Sequence, residues 1–157
     1  MRMVFLAMVT LMGTSVHADE PRPPAAKAIP GREELEKQFA DRMTGATFVG
    51  HYTLGEIKPD TRLPEERYSI TKVNKLNDDY WLFQTRIQYG DHDLTLPLPL
   101  RVIWSGDTPV ITLDDVPVPG LGTFTARVLV HKHQYAGTWS GKDHGGHLFG
   151  RIEQAER

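Results

Sequence analysis

Six histidines follow residue 18 of this chain, His51, His92, His131, His133, His144 and His147, and there is no cysteine anywhere in the sequence. Neutral imidazole binds zinc and copper, and residues at i and i+2 of a strand share one face, so His131 and His133 can begin a transition-metal site. His144 or His147 would supply a third ligand, with Asp143 nearby and Gly145-Gly146 keeping the loop adaptable. Parity opposes an interior site: Phe124, Ala126, Val128 and Val130 form the apolar face, which leaves Arg127, His131 and His133 facing out. The competing reading is a surface cluster of histidines at a hairpin end. His51 alternates with Gly50 and Tyr52, so it faces out if Phe48 and Tyr52 face in, and becomes a pocket donor in the opposite register.

Other reactive constellations are weaker. Ser140 precedes Gly141, but no Gly-x-Ser-x-Gly surrounds it, and Ser69 and Ser105 lack support for nucleophilic catalysis. Asp78-Asp79 and Asp114-Asp115 read as turn or strand-end residues, because neighbours in a strand face opposite ways and cannot act as a carboxylate pair. Gly120-Leu121-Gly122 has no following helix and no Gly-Lys-Ser/Thr, so it is not a phosphate cradle. Nothing here demands catalysis. Tyr52, Tyr68, Tyr89, Tyr135 and Trp139 are the aromatics that could line an interior while keeping a polar tip.

The elements that must position these residues follow from periodicity. In 32–43, REELEKQFADRM, Leu35, Phe39 and Met43 recur every four residues, and Glu33, Glu34 and Glu36 suit the positive end of a helix. This helix is expected to act as a lid or plug on the sheet that follows, and to cover the outer face of segment 79–89. From residue 47 the period becomes two. Strands are expected at 47–54, 66–74, 79–89, 92–104, 108–113, 123–131, 134–140 and 147–153, divided by short turn-forming pieces that leave no room for crossover helices. The strongest pattern is Leu94, Leu96, Leu98, Leu100, Val102 and Trp104, a row on one face representing on the order of 10 kcal/mol of burial before folding entropy.

The fold expected is all-β: a small antiparallel up-and-down barrel of about eight strands preceded by one short helix, with a two-sheet β-sandwich as the alternative. Pro97 and Pro99 cannot donate backbone hydrogen bonds, which places their strand at an edge, a bulge or a barrel seam. The turn at Lys132-His133 has no Gly, Asn or Pro. If it ran through as strand, the count would fall to seven and simple closure would fail.

The chain has 157 residues, formal charge −2 and mixed charges through 62–75, which gives no basis for a nucleic-acid surface. Arg2, the apolar run Val4 to Met12 and Val16-His17-Ala18 make residues 1–18 an expected cleaved signal. The run spans only about 14 Å as a helix against a hydrocarbon core of roughly 30 Å, so no stable membrane span is expected after cleavage. Residues 19–31 form a Pro-rich leader and 32–157 a single domain. The expected location is periplasmic or secreted, and the absence of cysteine excludes disulfide staples, thiol nucleophiles and thiolate ligands.

Phe48-Val49-Gly50-His51-Tyr52 opening the first strand, Gly137-x-Trp139 near the other end and Arg151 in the last strand resemble the lipocalin and avidin-like (calycin-type) small barrels, over about residues 44–153. Those families carry Gly-x-Trp where this chain has Gly50-x-Tyr52, and their helix follows the barrel rather than preceding it. The resemblance implies an internal pocket and a last-strand Arg151 covering the barrel end. The leading expectation is binding of a small apolar or amphipathic molecule in the barrel interior, with Tyr52, Leu96, Leu98, Trp104, Tyr135 and Trp139 as contacts. The alternatives are a non-catalytic structural or protein-interaction module of the cell envelope, for which Leu82, Ile103 and Leu129 are the outer apolar candidates, and histidine-based metal binding. No cofactor is required by the first two, and zinc or copper would serve the third.

Overall fold

A computed structural model describes residues 30–58 and 60–155. The expected signal and most of the leader lie outside the described residues. Helix α1 (Arg32–Met43) is followed by eight strands: β1 (Ala46–Tyr52), β2 (Glu65–Asn77), β3 (Tyr80–Tyr89), β4 (His92–Ser105), β5 (Thr108–Val118), β6 (Gly122–His131), β7 (Gln134–Ser140) and β8 (Gly145–Gln154). Each strand pairs antiparallel with the next, and β8 returns to β1, closing the barrel and excluding the sandwich. Every strand thus has two neighbours in the barrel, although β4 and β5 share only a short ladder.

The hairpin at Lys132-His133 forms without a glycine. Lys132 adopts a left-handed φ of 51°, and His131 pairs with Gln134 across the turn. β5 does not stop at residue 113. Asp114-Asp115 form a bulge, with Asp115 at φ 50°, and the strand resumes as far as Val118. The Thr125 hydroxyl holds the bulge by donating to the Asp115 carboxylate at 2.9 Å and accepting from its backbone N–H at 3.1 Å. Asp114 sits between Arg127 and Arg101 on the outer face.

Even strands begin at one end of the barrel and odd strands at the other, so the molecule has a helix end and an open end. At the helix end, α1 buries Leu35, Phe39 and Met43. Its last turn is stitched to β2: Gly45 N–H donates to Ile70 O at 2.8 Å, and Val73 N–H donates to Thr44 Oγ1 at 3.2 Å. Phe39 meets the rings of Trp81, Trp104 and Phe83 edge-on at 5.3, 5.9 and 6.2 Å. The plug expectation therefore holds, but not the outer cover: α1 packs on inward-facing side chains, while Tyr80 remains exposed and Leu82 half-buried on the outside of β3. At the barrel end the apolar face of α1 meets the inward rings of Trp81, Phe83 and Trp104, which removes apolar surface of both partners from water.

β4 and β5 pair only between Arg101↔Thr112 and Ser105↔Thr108, whereas β4 pairs with β3 from His92 to Arg101. Pro97 and Pro99 fall in the half of β4 with one partner strand, where their missing N–H groups can face the seam without breaking a ladder.

Candidate ligand-binding cavity

The barrel interior has two unlike halves. Towards the helix, Trp81, Val102, Val130 and Met43 are fully buried and pack solidly with Phe39. Towards the open end lies a cavity of about 470 Å³, within the size range of small-molecule sites. Its deeper wall is hydrocarbon from Phe83, Leu98, Leu100, Ile111, Val128 and Leu148. The alternation of each strand places these side chains inward, as the leucine row requires.

The mouth is aromatic. Tyr52 meets Tyr89 at 6.0 Å and Trp139 at 6.1 Å, both edge-to-face, and Trp139 in turn meets Phe124 at 6.3 Å and His144 at 5.4 Å. His92 extends the collar by packing on Tyr89 at 5.0 Å. Tyr52, Tyr68, Tyr89, Tyr135 and Trp139, the five interior aromatics expected from the sequence, all line the cavity.

One acid stands among them. Glu66, only 4% exposed, lines the cavity and accepts a hydrogen bond on each oxygen: Tyr68 Oη donates to Oε2 at 2.8 Å and Tyr135 Oη to Oε1 at 2.9 Å. Sequence reading missed it, because the mixed charges of 62–75 look like a solvated face. The available signal was parity, since Glu66 shares its face with Tyr68 and Ile70. The reach of Tyr135 has a backbone cause. Tyr135, Gly150, Gly50 and Glu66 occupy one row across β7, β8, β1 and β2 through successive register pairs. Three strand spacings amount to about 14 Å, which Tyr and Glu can bridge only if nothing stands between them. A methyl on Gly150 would lie 2.8 Å from Tyr135 Cε1, and one on Gly50 would overlap the Tyr135 hydroxyl.

Burial pushes the Glu66 carboxyl above the ordinary 4.5, against the opposing pull of the Tyr68 and Tyr135 hydrogen bonds and of the charge on His51. Burial, reinforced by Glu66, likewise raises Tyr68, Tyr135 and Tyr52, so these hydroxyls keep their protons as donors. The folded protein thus holds the Glu66 proton more tightly than the unfolded chain does. This group favours the folded state most below 4.5, and that contribution is lost as pH rises through the raised folded value. Glu66→Gln is therefore expected to gain stability relative to the wild type on passing from about pH 4 to about pH 7, with a slope no steeper than about 1.4 kcal/mol per pH unit. Urea unfolding of both proteins at the two pH values checks the sign, and a relative loss by the variant at the higher pH would contradict it.

Of the contacts expected from the sequence, Tyr52, Leu98, Tyr135 and Trp139 line the cavity together. Trp104 does not. It lies at the helix end, packed on Phe39 and under the Arg32 guanidinium at 5.4 Å. Leu96 faces inward and is half-buried against the core but lies outside the cavity lining. Arg151 does not cover the barrel end: it is exposed and pairs with Glu153 at 2.7 Å, because α1 already fills that end.

The four expected metal ligands are split between the two ends. His131 ends β6 and His133 lies in the β6–β7 turn at the helix end, whereas His144 lies in the β7–β8 turn and His147 near the start of β8, at the mouth. The seven residues of β7 separate the pairs by about 20 Å. Among the described residues no group of three His, Asp or Glu side chains could hold a metal ion. His51 takes the outward register, beside Phe149 at 6.4 Å.

The outside of the barrel carries one apolar row. Ile103, Val110, Leu129, Ala136 and Phe149 are register neighbours from β4 to β8, with Ile103, Leu129 and Phe149 exposed. Among the described residues no helix is long and apolar enough to cross a membrane. No family model matches the chain, and no match to it is found among curated proteins.

Proposed function

We propose that this protein binds a small amphipathic molecule inside the open half of its barrel, as a non-catalytic carrier or sensor of the lipocalin-like kind. The observation that carries the reading is the contrast within one interior. The helix end is filled by Trp81, Val102 and Phe39, all buried, whereas the mouth end encloses about 470 Å³ of mainly hydrocarbon wall around one buried carboxyl. A protein selected for stability alone gains by filling such a void, since each missing contact is lost packing energy. A site that must release and accept a guest keeps it. The signal-like residues 1–18 support a location outside the cytoplasm.

N-phenyl-1-naphthylamine, a neutral fluorophore that brightens in apolar surroundings, tests the reading. Saturable brightening at one probe per chain, reversed by a competing amphiphile, is the expected result, and no saturable signal would refute it. The outer row through Ile103, Leu129 and Phe149 favours a second reading, an interaction module of the cell envelope, which a probe-negative protein would bring forward.

A further inference from the structure

Resting on the ligand-binding reading, we infer that the guest is a cationic amphiphile, a protonated amine that docks against Glu66 beneath the aromatic collar while its hydrocarbon body fills the cavity. The cavity has an anionic partner and no cationic one. Its lining contains Glu66 but neither Lys nor Arg, with His92 and His144 lying among the rings of the mouth.

The two tyrosine hydroxyls occupy one acceptor position on each carboxylate oxygen. An ionised carboxylate offers about four such positions, so acceptor capacity remains for an ammonium N–H. Donors on both oxygens also fix the carboxylate in place and favour its charged form. What the cavity lining lacks is a Lys or Arg to serve as the counter-charge that a buried carboxylate otherwise requires, His51 standing on the outer side of β1.

The collar supplies an independent preference of the same sign. Tyr52, Tyr89 and Trp139 present aromatic rings around the mouth, and ring faces attract cations, Trp most strongly. An alkanoate entering the same space would bring its charge towards Glu66 with no cation in the lining to offset the repulsion. A neutral alcohol would lose the charge-assisted hydrogen bond and the ring attraction while keeping the hydrocarbon contact.

The titratable groups around Glu66 are Tyr68 on its own strand, Tyr52 on β1, Tyr89 on β3, Tyr135 on β7 and His51 on the outer side of β1. The tyrosines are all pushed above their ordinary values and stay neutral around pH 7. Amine preference should therefore grow with pH as Glu66 loses its proton, since the ammonium favours the ionised carboxylate.

The test is calorimetric titration of the full chain with decylamine, decanol and decanoate, in the wild type and in Glu66→Gln. Decylamine is expected to bind the wild type at least about tenfold more tightly than decanol, with decanoate weakest. In Glu66→Gln, decylamine and decanol should fall within about twofold of each other. An amine that binds the wild type no better than the alcohol, or a preference that survives in the folded variant, overturns the inference. Should Glu66→Gln fail to fold, the wild-type ratio of amine to alcohol affinity decides: a rise with pH supports the inference, and a flat profile overturns it. Decanol binding without an amine advantage removes only the charge preference, whereas failure of all three amphiphiles removes the binding reading beneath it.

Discussion

Phe39→Ala is expected to lower the stability of the folded chain by about 3–5 kcal/mol, a large share of what a domain of this size holds in reserve. Phe39 is buried at the centre of the plug and touches the rings of Trp81, Phe83 and Trp104 at once. Removing it strips apolar contact from all three and leaves a void that closed strands cannot collapse to fill. Chemical denaturation followed by far-ultraviolet circular dichroism measures the loss. A change below about 1 kcal/mol would mean that α1 rests on the barrel rather than sealing it.

Gly150→Ala is expected to be as damaging, although it adds a single methyl group. That carbon would sit 2.6 Å from Gly50 Cα and overlap the Val49 carbonyl, both backbone atoms that cannot rotate away. Tyr135, whose Cε1 would lie 2.8 Å from the same methyl, must leave the row, and its hydrogen bond to Glu66 goes with it. Strain together with an under-satisfied buried carboxyl should cost at least about 3 kcal/mol. Thermal unfolding reads the cost, and ultraviolet difference spectra of the tyrosines report the displacement of Tyr135. An alanine variant as stable as the wild type, with unchanged tyrosine spectra, would contradict the proposed role of the glycine row.

Most of the architecture is legible in the sequence because it rests on strong local signals. The four-residue recurrence of Leu35, Phe39 and Met43 has one solution, a helix with one buried face, and the helix spans 32–43 as expected. The alternation of Leu94 through Trp104 leaves one side of β4 for the interior, since a slip of one residue would expose the whole row. Strand β5 is misjudged because Asp114-Asp115 breaks the alternation. A bulge adds one residue and lets the strand continue, and no local pattern distinguishes that from a turn.

The candidate site is less legible, because its parts meet only through closure. Tyr135 and Glu66 are 69 positions apart and become neighbours only once β8 pairs with β1. The histidines mislead for the complementary reason. His133 and His144 are near in sequence, but a strand running the length of the barrel turns that nearness into separation. Trp104 fits the inward parity and still misses the cavity, because parity assigns a face and says nothing of depth along the barrel axis.

The claim on which the functional account stands is that the space at the open end admits a guest, and Ala126→Trp examines it most directly. Ala126 is buried and lines the cavity on β6, so an indole there occupies the volume that a guest would need. Calorimetric titration with decanol should show one molecule bound per wild-type chain, with a negative heat-capacity change, and affinity at least about tenfold weaker in the variant. Equal decanol affinity in wild type and a folded Ala126→Trp protein would contradict the account, since the guest would then bind elsewhere.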